Sequence, residues 1–152
     1  MNHFVNTIDR FQGKQNVTIP DTIYDSLRHS IKTITRTDIY IYLLENQFLK
    51  YCENVELIYN TLTQKPLPNI TEYIPVLMER FELYINCYNQ IDKERISFLN
   101  TDYVLCKLLQ QLGFNITKDN FYIIKTSSCM EEYDNVWKKL CDITGWEFVK
   151  TT

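Results

Sequence analysis

Apolar residues recur along the chain at intervals of three and four, the spacing that places them on one face of an α-helix. The signal is strongest in the middle of the sequence, where one helical face carries Ile74, Leu77, Met78, Phe81, Ile85 and Tyr88. Comparable faces begin at Phe4, Ile23, Tyr51, Val104 and Met130. With a further helix expected after residue 37, the pattern predicts an all-α fold. We expect a compact single-domain bundle of about seven helices over residues 1–152.

Glycine and proline mark the expected ends of the helices. Gly13, Gly113 and Gly145 each follow a helical pattern, where a left-handed C-terminal cap is common. The segment 66–68, Pro-Leu-Pro, stops the fourth helix and leads through an extended linker into the fifth. The tail that starts at Trp146 is expected to fold back on the core, because aromatic side chains are rarely left in solvent.

Capping residues predict where three of the helices begin. Pro20 suits the first turn of the second helix, because its φ is already helical and its missing N–H is not needed there. Thr37 followed by Asp38 predicts the start of the third helix. Ser128 and Glu131 form a capping-box pattern at the start of the last one.

Two stretches, 39–42 and 121–124, allow more than one assignment. Residues 39–42, Ile-Tyr-Ile-Tyr, suit a strand as well as a helix, and we assign a helix because no partner strand is evident. Residues 121–124 are either one helical turn or a buried connector. The apolar face of the second helix is expected to continue through Ile31 and Ile34.

Composition narrows the class of protein. A hydrophobic fraction of 45% and a net charge of -3 over 152 residues indicate a folded chain rather than a disordered one. No apolar run approaches the ~20 residues of a membrane span, and the N-terminus lacks the features of a signal peptide. The 3 glycines are far apart, which excludes a Walker A loop and a Rossmann fingerprint. Alanine is absent, so the helices must be specified by amphipathic faces, caps and packing.

Residues that could carry out chemistry are few and scattered. The cysteines are odd in number and widely spaced, which predicts reduced thiols inside a cell, with Cys52, Cys106 and Cys141 as small core residues. No two of them have the spacing of metal ligands. The histidines are His3 and His29, and a Cys–His nucleophile pair stays open because the sequence does not give its geometry. We predict no catalytic residue, no metal site, no cofactor and no small-molecule substrate.

Basic residues are concentrated near the N-terminus. Residues 1–36 hold five basic residues against three acidic ones. The basic residues are Arg10, Lys14, Arg28, Lys32 and Arg36. Helical spacing would place the first two one turn apart and the other three in series, so that each set forms a basic ridge. Such ridges either bind DNA phosphates or an acidic partner, or are ordinary solvated faces.

Five segments, in order and spacing, resemble one known family. They are Asn2-His3-Phe4; Phe11-Gln12-Gly13-Lys14 leading to Ile19-Pro20 and Tyr24; Pro66-Leu67-Pro68-Asn69-Ile70; Phe98 to Lys107 with Leu112-Gly113; and Trp137 to Cys141 with Gly145 to Phe148. Together they resemble the C-terminal region of the poxvirus-type viral late gene transcription factor three family of large and giant DNA viruses. The similarity extends over essentially the whole chain.

This resemblance implies a regulator that helps a viral RNA polymerase to transcribe late genes together with other viral late transcription factors. The implied location is the host cytoplasm, in the viral factory, or the virion. Family members typically carry a cysteine-rich zinc-binding segment before the Asn-His-Phe stretch, where this sequence starts. We expect either a naturally shortened relative or a fragment cut at a domain boundary, so zinc binding is not carried over. By analogy with cellular initiation factors of the transcription factor IIB type, a cyclin-like helical core is one conceivable architecture.

The leading hypothesis is a non-enzymatic helical module that contacts the polymerase, other late factors or DNA. The alternative is a protein-binding adaptor, or a scaffold packaged in the virion, with no role in binding nucleic acid. The net negative charge and the 11 tyrosines favour that alternative, because exposed tyrosines suit protein interfaces. An enzyme has only the scattered cysteines in its support.

Overall fold

Seven α-helices and three short 3₁₀-helices form the regular structure of the described part of the chain, and no strand occurs there. In the computed structural model of the protein, the described residues are 2–14, 17–30, 34–91, 99–124 and 127–151. The α-helices are α1 (Asn2–Phe11), α2 (Asp21–Ser30), α3 (Arg36–Glu45), α4 (Val55–Thr63), α5 (Ile74–Tyr88), α6 (Thr101–Gln111) and α7 (Ser127–Thr144). The 3₁₀-helices are Leu49–Asn54, Thr71–Tyr73 and Lys118–Phe121. The predictions of an all-α fold and of about seven helices are confirmed.

Contacts along the chain group into two units. The N-terminal unit is Met1–Ile70 and the C-terminal unit is Thr71–Thr152. Their boundary follows the Pro-Leu-Pro segment at 66–68, where the sequence predicted a linker. The expectation that residues 1–152 form one domain stays a prediction.

The N-terminal unit contains α1 to α4. Its helices have buried apolar faces, which consist of Phe4 and Ile8 in α1, Ile23 and Leu27 in α2, Ile39 and Leu43 in α3, and Val55 and Ile58 in α4. α4 contacts α2, α3 and the 3₁₀-helix Leu49–Asn54. The three- and four-residue spacing read from the sequence is therefore the spacing of the buried faces.

Glycine ends α1 for two physical reasons. The N–H groups of Gly13 and Lys14 donate to carbonyls of the last turn of α1 at 3.1 and 3.0 Å, which is a Schellman motif. Gly13 has a φ of 64°, and a Cβ placed there would lie 2.5 Å from Cδ2 of Leu67. The caps predicted at Gly113 and Gly145 are also left-handed, with φ values of 91° and 80°.

Two helices of the N-terminal unit end in a left-handed residue that is not glycine. Gln47 has a φ of 60°, and the next N–H, that of Phe48, donates to the carbonyl of Leu43 at 2.9 Å. Gln64, with a φ of 58°, caps α4. A search for glycine alone misses both caps, because a residue with a side chain can also adopt this conformation at a helix end, at a cost in backbone strain.

The second helix is shorter than predicted. Because α2 begins at Asp21, Pro20 precedes it and does not lie in its first turn; the carbonyl of Pro20 accepts a hydrogen bond from the N–H of Ile23 at 3.1 Å. Ile34 lies between α2 and α3 instead of continuing the face of α2. Ile31, expected on the same face, lies outside the described residues.

The third helix begins two residues before the predicted position. Thr35, not Thr37, is the N-cap, and its Oγ1 accepts the backbone N–H of Asp38 at 3.1 Å. The stretch 39–42 is helical, as assigned. The next predicted helix is divided, because residues 49–54 form a 3₁₀-helix and α4 starts only at Val55.

The C-terminal unit is built around α5, α6 and α7, and α5 contacts both of the others. The buried face of α5 consists of Leu77, Phe81, Tyr84, Cys87 and Tyr88. It is rotated from the predicted face, since Ile74, Met78 and Ile85 are only partly buried. α6 is buried along its whole middle, from Tyr103 to Leu109.

The end of the chain packs on this unit, as predicted. The buried residues of α7 are Tyr133, Val136, Trp137, Leu140 and Cys141. The ring centroid of Trp146 lies 5.8 Å from that of Trp137. Ser128 lies inside the first turn of α7, which begins at Ser127, so the predicted N-cap is wrong. In the segment 121–124 only Phe121 is helical and buried, as the last residue of the 3₁₀-helix Lys118–Phe121, so neither alternative describes the whole segment.

Candidate interaction site

Arg10, the first of the predicted binding residues, makes contacts within the chain. Its guanidinium donates to Oε1 of Glu53 at 3.1 Å and to the hydroxyl of Thr7 at 2.9 Å. Only 21% of its side chain is exposed. The contact with Glu53 joins α1 to the 3₁₀-helix before α4. A phosphate would therefore have to compete with a carboxylate for this arginine.

Arg36 is held more tightly still. Its Nε donates to Oε1 of Glu56 at 2.7 Å, and its guanidinium carbon lies 4.2 Å from the ring centre of Tyr59. The side chain of Glu56 is 4% exposed, so the arginine neutralises a buried carboxylate. This pair joins the first turn of α3 to α4, which gives Arg36 a role in packing.

The remaining predicted residues lie nearer to solvent. Arg28 is exposed on α2, 3.6 Å from the carboxylate of Asp25 and above the ring of Tyr24 at 5.7 Å. Lys14 is exposed after the C-terminal cap of α1. Lys32 lies outside the described residues.

The two basic ridges predicted from helical spacing do not form. Arg28 belongs to α2 and Arg36 to α3, so they are not successive turns of one helix. Lys14 follows the left-handed Gly13, so it does not continue the helical face that carries Arg10. The assumption of an unbroken helix was wrong in both cases. The assignment of these residues to DNA or partner binding stays a prediction.

Charge is balanced in the N-terminal unit and negative in the C-terminal one. Residues 1–70 contain seven basic and seven acidic residues, whereas residues 71–152 contain nine basic and twelve acidic ones. A surface that binds DNA through its backbone needs a local excess of positive charge. Such an excess must therefore come from a small patch and not from either unit as a whole.

The C-terminal unit contains a polar cluster that the sequence did not indicate. Lys107 is 1% exposed, and its Nζ donates to the backbone carbonyl of Val149 at 2.6 Å. The carboxylate of Asp134 lies 3.6 Å from the same nitrogen. Asp134 also accepts hydrogen bonds from the hydroxyls of Tyr103 at 2.6 Å and Thr151 at 3.0 Å. Two helices and the chain tail therefore meet at one buried ammonium group.

Aromatic rings surround this ammonium group. The ring centres of Tyr103, Phe121 and Phe148 lie 5.6, 5.6 and 5.7 Å from Nζ of Lys107. Burial lowers the pKa of Lys107, and the carboxylate of Asp134 opposes that shift. Burial and the hydrogen bond to Asp134 raise the pKa of Tyr103. The sequence around Lys107 does not predict this site, because the partners of the lysine come from α7 and the tail.

The cluster also changes the interpretation of the exposed lysines of α7. By spacing alone, Asp134 could neutralise Lys138, which lies one turn further along the helix. Asp134 instead faces Lys107, Tyr103 and Thr151. Lys138 and its neighbour Lys139 are exposed.

The thiols have the surroundings of core residues and not of metal ligands. Cys106 and Cys141 are buried, and each donates its S–H to a backbone carbonyl, at 3.7 and 3.9 Å. Burial raises the pKa of Cys141 to about 11, which keeps it protonated. Cys52 is only partly buried. Within the described ranges no three His, Cys, Asp or Glu side chains come together, so these residues do not fit a zinc ion.

Segments that are distant in the sequence meet within each unit. In the N-terminal unit, Oε1 of Gln12 accepts the backbone N–H of Ile70 at 2.8 Å. In the C-terminal unit, the segment that ends at Lys107 meets the segments that contain Trp137 and Phe148. Four of the five segments that carry the family resemblance are thus packing or hydrogen-bonding partners. Among the described residues, no helix is both long and apolar enough to cross a membrane.

The described part of the chain is thus all-α and groups into two units. The chain belongs to the family described as Poxvirus Late Transcription Factor VLTF3 like, which matches residues 1–148. This confirms the family resemblance and makes the chain a member of a viral transcription factor family.

Two relatives illustrate the family. The chain is 33% identical over 174 residues to "Putative transcription factor 282R" of Invertebrate iridescent virus 6, which covers 97% of this chain and 45% of the relative. It is 26% identical over 162 residues to "Putative transcription factor R429" of Acanthamoeba polyphaga mimivirus, covering 99% of this chain and 37% of the relative. The chain thus spans less than half the length of these relatives. No solved structure matches it.

Proposed function

We propose that the chain is a non-enzymatic module of a viral late transcription factor, which helps the viral RNA polymerase to transcribe late genes. The observation that carries this proposal is the family match over residues 1–148. The module acts by binding the polymerase or other viral late transcription factors. Its place of action is the viral factory in the host cytoplasm, with packaging in the virion as a further expectation.

The structure supports protein contacts more strongly than DNA contacts. Arg10 and Arg36 are engaged by Glu53 and Glu56, and neither unit carries an excess of basic residues. Direct DNA binding therefore depends mainly on Lys14, Arg28 and Lys32. These observations also favour the second candidate, an adaptor or scaffold with no role in binding nucleic acid.

The first experiment asks whether the chain binds the transcription machinery. The tagged full chain is used to capture proteins from infected cells, with and without nuclease treatment. We expect polymerase subunits or late factors to be captured in both samples. Late-promoter transcription in a reconstituted system should fall when the chain is withheld and recover when it is added back. Normal transcription without the chain would contradict the proposal.

The second experiment separates direct DNA binding from the adaptor role. Arg28→Glu combined with Lys32→Glu is compared with Lys138→Glu combined with Lys139→Glu, a pair with the same change of charge on exposed α7 residues. If the basic residues of the N-terminal unit bind DNA, only the first pair of substitutions weakens DNA binding. The slope of log affinity against log salt then becomes shallower by about 0.9 for each lost phosphate contact. Equal affinities and slopes in both pairs would favour the adaptor.

A further inference from the structure

A cavity of about 210 Å³ lies in the C-terminal unit, between the helices and the chain tail. Its lining residues are Arg80, Gln110, Gln111, Trp146, Glu147 and Val149. The first three belong to α5 and α6, and the other three to the tail. The tail thus forms one wall of the cavity. Its volume is below the roughly 300–1,000 Å³ of pockets for drug-sized ligands, which suits one side chain of a partner.

Two carboxamide groups in the wall keep unused hydrogen-bonding capacity. Oε1 of Gln111 accepts a hydrogen bond from the guanidinium of Arg80 at 2.8 Å. Nε2 of Gln111 and Oε1 of Gln110 have no hydrogen-bond partner among the described residues, although both atoms are buried. A buried polar atom without a partner destabilises the fold, so a ligand that pairs with it is favoured. In Gln110, rotation about the last side-chain torsion, which is broad in glutamine, can turn the amide toward the cavity, whereas in Gln111 the same rotation costs the hydrogen bond to Arg80.

The charges of the wall favour a neutral ligand. Arg80 and Glu147 have opposite charges, so neither a phosphate nor an ammonium group is preferred. The unused groups are one donor, on Gln111, and one acceptor, on Gln110. A carboxamide offers the complementary acceptor and donor in one plane. The indole of Trp146 supplies an apolar surface against which a flat group can pack.

We propose that this cavity binds the carboxamide side chain of an asparagine or glutamine in a polypeptide partner. A nucleobase also combines donors and acceptors in a plane, but it is attached to a phosphodiester chain. The C-terminal unit has twelve acidic residues against nine basic ones, which disfavours that chain. The biological meaning of the site rests on the proposed function, because the partner would belong to the transcription machinery. The carboxamide binding itself does not depend on the proposed function.

The test is a selection of phage-displayed random heptapeptides on the full chain, followed by fluorescence anisotropy with the selected peptides. We expect enrichment of asparagine or glutamine at one peptide position. Replacing that residue by leucine in the peptide should weaken binding at least tenfold. This arm changes only the peptide, so it does not depend on how protein variants fold.

The protein-side arm uses Gln110→Leu and Gln111→Leu. Each should weaken binding of the selected peptide at least fivefold, while Gln90→Leu, the same change at an exposed glutamine outside the cavity, should leave it unchanged. Unfolding curves of all three variants show whether the fold is retained.

Three results would overturn the proposal. They are selected peptides without a shared carboxamide, peptide binding that is insensitive to the leucine replacement, and displacement of the peptide by a single-stranded oligothymidylate. The last result would indicate a nucleobase site. None of them bears on whether the chain is needed for late transcription, so the two proposals fail separately.

Discussion

Each unit contains a buried ion pair, and the two pairs differ in which member, the acid or the base, is the more buried. In the N-terminal unit the carboxylate of Glu56 is the more buried partner, at 4% exposure, and Arg36 retains 18%. In the C-terminal unit the ammonium of Lys107 is the more buried partner, at 1%, and Asp134 retains 14%. Each charged pair also lies against a tyrosine ring.

The two ion pairs also differ in the elements that they join. Arg36 and Glu56 join α3 to α4, two helices that also lie against each other and bury apolar residues. Lys107 and Asp134 join two helices to a tail that has no regular secondary structure, through Val149 and Thr151. The first pair supplements the packing of two helices, whereas the second gives the tail a partner for the Val149 carbonyl and for the Thr151 hydroxyl. In both units the more damaging loss is the partner whose removal leaves a buried charge alone.

The largest expected effect follows from removing Asp134. In Asp134→Ala the buried ammonium of Lys107 loses its counterion, and the hydroxyls of Tyr103 and Thr151 lose their acceptor. We expect the free energy of unfolding to fall by about 3–5 kcal/mol, as for other broken buried pairs. Urea unfolding measures this change. A smaller loss than in Arg36→Met would show that the cluster around Lys107 contributes less to stability than the Arg36–Glu56 pair.

The second effect is the loss of the arginine of the N-terminal unit. Arg36→Met keeps most of the apolar length that covers Tyr59, but it removes the hydrogen bond to the buried carboxylate of Glu56. We expect a loss of about 2 kcal/mol, the scale of a hydrogen bond to a charged group. Arg28→Met, at an exposed position, is the control for the same substitution.

Replacing Lys107 tests whether the buried member of a pair can be dispensed with. Lys107→Met fills a similar volume and leaves Asp134 with its two hydroxyl donors, so we expect a smaller loss of about 1 kcal/mol. Hydrogen exchange near Val149 should become faster, because the tail loses its ammonium contact. Unchanged exchange would show that the aromatic contacts alone hold the tail.

A pH-dependent effect should appear on the alkaline side. Burial raises the pKa of Cys141 to about 11, whereas an unfolded thiol titrates near about 8.5. The unfolded chain therefore releases this proton first, and stability should fall as pH rises from about 8.5 to about 11. The raised pKa of Tyr103 acts in the same direction. The lowered pKa of Lys107 has the opposite effect, because the lysine of the unfolded chain keeps its proton up to a pH of about 10.4.

The alkaline effect is measured by urea unfolding at a series of pH values. Cys141→Ala and Tyr103→Phe should each make the fall in stability shallower than in the unaltered chain. A fall that is equally steep in both variants would assign it to groups outside the C-terminal cluster.

The smallest expected effect is at the surface of α2. Arg28→Glu should change the free energy of unfolding by less than about 0.5 kcal/mol, because exposed ion pairs contribute little. Thermal unfolding measures it. A larger loss would mean that Arg28 supports the N-terminal unit, and its use as a probe of DNA binding would then be compromised.

The elements could largely be predicted because they depend on local rules. The glycine caps and most apolar faces follow from spacing and backbone conformation. The predicted start of α3 was wrong because Thr35 and Thr37 offer competing N-caps, and the local pattern does not show which one the neighbouring helices accept. The predicted start of α2 was wrong by one residue, because Pro20 precedes the first turn. The caps at Gln47 and Gln64 were missed because nothing local requires a left-handed glutamine.

The candidate site could be predicted only in part. The sequence identified the basic residues but assumed that helices continue through Lys14 and from Arg28 to Arg36, and the chain turns at both places. It also could not show that Glu53 and Glu56 engage two of the arginines, since each carboxylate is at least 20 positions away along the chain.

By itself the sequence determined the helical class, the helix ends at glycine, the return of the aromatic tail and the family resemblance. Each of these depends on neighbouring residues or on an ordered series of segments. Tertiary structure alone decided which charges are buried, which cations are already paired, and how Lys107 holds the tail. The reason is physical: the energy of a buried charge depends on partners brought within about 4 Å by folding, and distance along the chain does not reveal them.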